Sequence, residues 1–271
     1  MAGIPNWARF DEVADSYDKY FLTSREPARQ LANFMKVKRG ADVLEIGCGT
    51  GFATFLVADA VGKDGTILAT DIAENMIEVG RTKARNEGIP NIRFQTADGS
   101  DLDELDDESF DYVFANAALM GFPDVAGALK EWARVARPGG TVAFSSFSLD
   151  NVHPLAVNPN ALDVFRRYVD DLPRLNLPTN DIDTAEKCAT QLSEVGLTGV
   201  EVQQLDLGYY YRNFDEFWNE WWSSLFRLRL QVLDPKDLRL MRKDLSASMQ
   251  EAFVGDGFYR PNITLLAKAR R

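Results

Sequence analysis

Two kinds of apolar pattern alternate along the first half of the chain. Short apolar runs predict strands at 41–46, 66–71, 91–97, 110–115 and 140–147. Helical patterns fill the intervals at 52–61, 73–87 and 124–136. Ala41 to Ile46 and Tyr112 to Ala115 are apolar on both faces, as strands buried inside a parallel sheet are. The alternation predicts an α/β chain, a parallel sheet with helices on both faces. Two helical patterns, 7–21 and 25–36, precede it.

Arg137-Pro138-Gly139-Gly140 reads as a sharp turn between a helix and the fifth strand. After Phe147 the character changes. Residues 148–182 hold four prolines and one short helical pattern at 160–171. A helix at 184–195 stops at Gly196, and a strand follows at 199–207. Phe214, Phe217, Trp218, Trp221, Trp222, Leu225 and Phe226 then fall on one helical stripe. Asn213 suits its N-cap, with Glu216 at the capping-box position. Asp234-Pro235 starts another helix to about 253, and a strand at 259–268 closes the pattern. The expected organisation is an N-terminal helical cap (1–40), a core (41–147) and a substrate-shaping excursion with the last helices and strands (148–271).

Charge and composition narrow the chemistry. The net charge of −11 disfavours a nucleic-acid partner and sets the chain against anionic membranes. No run approaches ~20 apolar residues, so no membrane-spanning helix is expected. The first 21 residues lack a basic and an apolar stretch of the kind a secretory leader needs. Cys48 and Cys188 are the only cysteines and His153 the only histidine. Neither a disulfide framework nor a multi-histidine metal site fits this, so no metal is expected and a reducing, cytoplasmic setting is.

The most informative stretch is 43–51, Val-Leu-Glu-Ile-Gly-Cys-Gly-Thr-Gly. A strand ends here, glycines recur at every second position, and an apolar helix begins. Glycine permits φ > 0 and close approach of a ligand, and the helix start offers free N–H groups to an anionic group. Asp71 ends the second predicted strand. It can accept from ribose hydroxyls, or form a capping box with Glu74. Asp98 follows the third strand and can accept from an exocyclic amine, or serve as an Asp-Gly turn. Asn116 follows the fourth. With Glu45, these groups share the carboxyl rim of a parallel sheet, where ligands of such sheets bind.

LEIGCGTG, TDIAENMIEVGR, TADGSDL, FDYVFANAAL and LKEWARVARPGG occur in order within 41–147. This stretch resembles the cofactor region of class I S-adenosylmethionine methyltransferases, of the small-molecule, quinone-biosynthesis kind. FDEVADSYDKY resembles the segment that closes over the cofactor in that group. The resemblance implies a Rossmann-like sheet of seven strands, mostly parallel, with the last strand antiparallel. It implies S-adenosylmethionine as cofactor and S-adenosylhomocysteine as by-product. Gly47, Cys48, Gly49 and Gly51 are then expected at methionine and ribose, with Tyr17 and Glu45 beside them. Asp71 is expected on the ribose, and Ile72 and Met76 beside the adenine. Ala97, Asp98 and Gly99 are expected at the adenine rim, and Asn116 and Ala117 near the sulfonium.

Many members carry a histidine or aromatic just after Asn116, where this chain has Ala118, Leu119 and Met120. His153 is then the candidate base, weighed against an ordinary loop histidine. Tyr20, Phe21, Leu119, Met120, His153, Tyr209, Trp218, Trp221 and Trp222 are the candidate acceptor lining. For the aromatic stripe, plain packing against the sheet competes with that role. The expected partner is a small, lipophilic or aromatic metabolite, with homodimerisation left open. Cofactor-assisted cyclisation without methyl transfer, and a non-catalytic cofactor-binding module, are the alternatives.

Overall fold

Val43, Leu44 and Ile46 lie on an interior strand of a seven-stranded sheet in this computed structural model. It describes residues 6–20, 25–148, 159–169, 181–223, 227–250 and 257–271. A 3-10 helix (Asn6–Val13) and the short α1 (Tyr17–Tyr20) replace the single helix expected at 7–21. They lead into α2 (Arg25–Met35), β1 (Asp42–Ile46), α3 (Phe52–Val61), β2 (Thr66–Asp71), α4 (Glu74–Glu87) and β3 (Ile92–Thr96). β4 (Phe110–Asn116), a 3-10 turn (Leu119–Gly121), α5 (Val125–Val135) and β5 (Ala136–Phe147) complete the first half. The second half runs α6 (Pro159–Tyr168), α7 (Ala185–Glu194), β6 (Thr198–Asp206), β7 (Tyr209–Tyr211), α8 (Phe214–Ser223), α9 (Arg227–Leu230), α10 (Pro235–Ser248), β8 (Phe258–Arg260) and β9 (Ile263–Arg270).

The sheet order is β3-β2-β1-β4-β5-β9-β6. β1 to β5 pair in parallel, and β9 runs antiparallel to both β5 and β6. The strand order reverses between β1 and β4, and this is where an open parallel sheet forms its crevice. Two apolar layers cover the faces. Leu44, Ile46, Val113 and Ala115 meet α5 and its buried Trp132 on one side. Val43, Tyr112 and Phe114 meet Leu31, Val57 and Ile77 on the other. The split follows strand alternation residue by residue. Among the described residues, no helix is long and apolar enough to cross a membrane.

Local chemistry sets the ends of the elements. Asp124 caps α5 by accepting from the Gly127 amide at 2.8 Å, and Thr184 caps α7. Gly88 closes α4 in the left-handed region (φ 66°). Asn213 accepts from the Glu216 amide, as expected, but the Glu216 carboxylate reaches back to Arg212 instead of completing a capping box with Asn213.

Two boundary expectations are corrected. Arg137 to Gly140 belongs to β5 as a bulge, with Ala136 paired to Phe110 and Thr141 to Tyr112. The final strand is two strands, because Pro261-Asn262 interrupts it. β8 pairs with β7 in a separate ribbon.

The aromatic stripe is mainly core. Phe217, Trp218 and Trp221 are buried with Phe165 of α6, Tyr211 of β7, Met241 and Leu245 of α10, and Met249 just after it. The Trp221 ring meets Phe165 edge-on at 5.5 Å and Phe217 at 5.0 Å. Leu225 and Phe226 lie outside the described residues. Trp221→Ala is expected to lower stability by about 3–5 kcal/mol in urea denaturation. Truncation of the exposed Val232 should stay within ~0.5 kcal/mol.

Candidate functional site

The turn after β1 is built by glycine. Gly47, Gly49 and Gly51 all take positive φ, at 67°, 55° and 91°. A Cβ on Gly47 would lie 2.3 Å from Cβ of Ala118, so this glycine lets the loop after β4 close onto the turn. Around Gly49 the space is open, and an added Cβ would reach only Tyr17 at 3.9 Å. α3 then starts at Phe52 with no side-chain cap. Its first amides face the turn as donors for an anionic group.

Asp71 ties this turn to the neighbouring strand. Its Oδ2 accepts from the Gly49 amide at 2.7 Å and its Oδ1 from the Ala73 amide at 2.9 Å. The capping-box alternative with Glu74 is not realised, since the N-cap of α4 is Ala73. Burial raises the Asp71 pKa above the ordinary carboxyl range, against the pull of its amide donors. Beside it, Ile72 is 37% exposed, an apolar side chain at the rim. Met76 is buried under the N-terminal segment with Val13 and Ala14.

Glu45 lies beneath the turn. It is buried and accepts from the Thr54 hydroxyl at 2.6 Å. Burial drives its pKa to about 8, with the Thr54 bond opposing and the Asp71 charge adding to the rise. Cys48 is buried too, and burial pushes its thiol up. Ala97 donates its amide to the Asp71 carbonyl oxygen. Asp98 Oδ1 accepts from the Ser100 amide and hydroxyl, leaving Oδ2 without a partner among the described residues. Gly99 sits against Ile46 and accepts from the Trp132 indole at 2.9 Å.

Asn116 and Ala117 form the opposite lip. Ser145 of β5 donates to Asn116 Oδ1 and accepts from the Ala117 amide, both at 2.8 Å. Ala117 is held at φ 53°, a strained conformation for a residue with a Cβ. Leu119 and Met120 do not line an opening: both are buried in the core layer under α5.

A lid of N-terminal residues lies over the turn. Tyr17 packs beside Gly49, edge-on to Phe10, and its phenol pKa is raised first by burial, then by Asp71 and Asp18. Asp18 accepts from the Thr50 hydroxyl and pairs with Lys83, which also donates to the Thr50 carbonyl oxygen at 2.8 Å. Asp11 accepts from the Asn75 amide at 2.7 Å. Asp18, Thr50, Lys83 and Ser145 were not anticipated from sequence. Asp18 and Thr50 neighbour flagged residues, whereas Lys83 and Ser145 gave no signal, since their partners are distant in the chain.

Tyr20 closes α1. Tyr209 and Trp222 are half-buried, on β7 and α8. Trp218 and Trp221 are packing residues, as above. Phe21 and His153 lie outside the described residues. Two surface concavities, of about 590 and 470 Å³, lie between α8 and α10 and between the N-terminal segment and α4, the second lined by Asp11, Asn75 and Lys83. Among the described residues, no group of three or more His, Cys, Asp or Glu could hold a metal ion.

The buried Glu45 carries a pH dependence. Its folded pKa, about 8, exceeds the ordinary 4.5, so folding takes up a proton. Its contribution is full below the ordinary value and is lost as pH rises through about 8. Urea midpoints should therefore fall over that window, and Glu45→Gln should flatten the fall. Equal slopes in both proteins would show Glu45 ionised in the folded state.

Comparisons with known proteins fit this geometry. A family model described as "Methyltransferase domain" matches residues 37–207. A demethylmenaquinone methyltransferase of Staphylococcus carnosus is 36% identical over 136 residues, 48% of this chain and 55% of that protein. One of Listeria welshimeri is 30% identical over 164 residues, 59% of this chain and 66% of that protein. The chain thus spans between half and two thirds of the length of these relatives. The solved YcgJ protein of Bacillus subtilis shares the fold, with TM-score 0.59 and 18% identity over 91% of this chain and 98% of its own. With the family match spanning more than half of the chain, on a seven-stranded, mostly parallel sheet whose last strand is antiparallel and a glycine turn at its crevice, the chain belongs to the class I S-adenosylmethionine-dependent methyltransferase family.

Proposed function

We propose that this protein transfers a methyl group from S-adenosylmethionine to a small, lipophilic acceptor. The observation that carries the reading is the Asp71 carboxylate, fixed by the Gly49 and Ala73 amides beside an open glycine and an uncapped helix start. That combination suits a ligand with hydroxyls, a carboxylate and a positive charge. The Gly47–Gly51 turn and the α3 amides would hold the methionine part, and Asp71 the ribose hydroxyls. Ile72 would flank the adenine, and the free Asp98 oxygen would accept from its amine. The bound cofactor supplies an electrophilic methyl for SN2 displacement, the acceptor losing its proton to solvent.

The chain's own residues then orient and exclude water. Ser145 holds Asn116 and Ala117 at the lip of the crevice. Tyr17 and Asp18 cover the turn, and a raised phenol pKa keeps Tyr17 a donor. The lid and crevice favour catalysis by alignment and desolvation. Relatives named for demethylmenaquinone support a quinone-type acceptor. Tyr209 and Trp222, both half-buried, are the proposed acceptor contacts. The two free, buried thiols suit a reducing, cytoplasmic setting.

Methyl-labelled cofactor with a quinol acceptor tests this directly: label should appear in the product, and unlabelled product would refute transfer. By calorimetry, Asp71→Ala should weaken S-adenosylhomocysteine binding by ~1–3 kcal/mol. Unchanged affinity would confine Asp71 to a structural role.

A further inference from the structure

The chain's negative charge is unevenly spread. Residues 227–243 hold six basic and two acidic residues, a local surplus of four positive charges in a chain of net −11. Arg227 is paired with Asp15 and Arg242 with Asp215. Lys236, Arg239 and Lys243 make no ion pair among the described residues.

These three cations share one face of α10. They stand at i, i+3 and i+7, and Leu240 and Ala247 at i+4 and i+11 complete the face. Asp237 and Asp244 project roughly a quarter-turn away, and Asp244 accepts from the Tyr168 hydroxyl. The far side of α10, with Met241 and Leu245, is buried in the aromatic cluster, together with Met249 at its C-cap. The basic face therefore points outward on a helix that is firmly seated.

Exposed apolar side chains coincide with it. Leu240 is 40% exposed, and Val232, in the turn leading to α10, is 75% exposed. They are two of only four exposed large hydrophobic residues among those described. A groove of about 590 Å³ runs beside the face between Phe214, Arg242, Lys243 and Gln250.

We propose that this face of α10, with the turn before it, docks on an anionic lipid bilayer. Lysine and arginine stems reach phosphate headgroups while Val232 and Leu240 enter the boundary between headgroups and acyl chains. A nucleic acid fits less well, since the cationic track is one short helix with aliphatic side chains at its centre and the rest of the chain is strongly acidic. The whole-chain charge argues against an anionic surface, but the Debye length at physiological salt is about 8 Å, so the local charge governs contact. The proposal goes beyond methyl transfer and needs neither cofactor nor acceptor.

Co-sedimentation of the full chain with vesicles, without cofactor or acceptor, tests it. Binding is expected to phosphatidylcholine vesicles containing phosphatidylglycerol, weak to phosphatidylcholine alone, and reduced by added sodium chloride. The K236Q/R239Q/K243Q variant should bind ~100-fold more weakly, at about fivefold per cation. V232S/L240S should also bind more weakly while keeping the salt dependence. All five positions are exposed, and unchanged circular dichroism and melting will confirm folding. Absence of binding to both vesicle types, equal binding to both, or wild-type binding by the triple variant overturns the proposal. So does displacement by inorganic phosphate beyond that caused by sodium chloride of equal ionic strength, which marks a free-anion site.

Discussion

Two hydrogen bonds to one carboxylate hold the working end of this molecule together. Asp71 accepts from Gly49 on the turn after β1 and from Ala73 at the start of α4. It thereby fixes the glycine turn against the adjacent strand at the reversal of strand order. The bonds replace only part of the hydration that burial has removed from the carboxylate, so desolvation outweighs their pull and leaves its pKa raised. Gly47 supplies the complementary constraint from the other side, because only a missing Cβ lets Ala118 approach. The crevice is thus formed by backbone amides and one acid, on rigid strand ends.

The covering layer is fastened by a different device. Asp11, Asp15 and Asp18 lie within eight residues of one another, and each reaches a separate part of the fold. Asp11 meets the start of α4, Asp15 meets Arg227, and Asp18 meets Thr50 and Lys83. Exposed pairs of this kind contribute little stability each. Their effect here is positional: they set where Tyr17 sits over Gly49. The acids of the N-terminal segment are thus partly structural, and the net charge of the chain is a poor guide to any one surface. α10 illustrates the same point with the opposite sign.

The aromatic cluster shows how packing and chemistry compete for the same residues. Trp218 and Trp221 have the size and polarity of pocket residues, yet they fill the space between α6, α8 and α10. That cluster stands apart from the two layers of the sheet and holds α6, α8 and α10 together. Arg260 and Glu220 pair within it, with the Tyr211 hydroxyl donating to Glu220. A buried pair of this sort specifies geometry more than it adds stability.

Period and turn chemistry in the sequence determined the parallel core. β1, β2, β3 and α3 fall within a residue or so of their apolar runs, because burial on both faces imposes a pattern that local order alone displays. The positions of the glycine turn and of Asp71, Asp98 and Asn116 were legible for the same reason: each stands at or just beyond the end of its strand. Tertiary structure decided what depends on distant partners. It turned Arg137 to Gly140 into a bulge, since β4 pairs on both sides of them, and split the last strand at Pro261, whose missing N–H interrupts a ladder. It sank Leu119 and Met120 into the core and brought Asp18 and Ser145 to the rim. Such contacts join residues far apart in the chain, and hydrophobic periodicity carries no record of which distant group will be waiting.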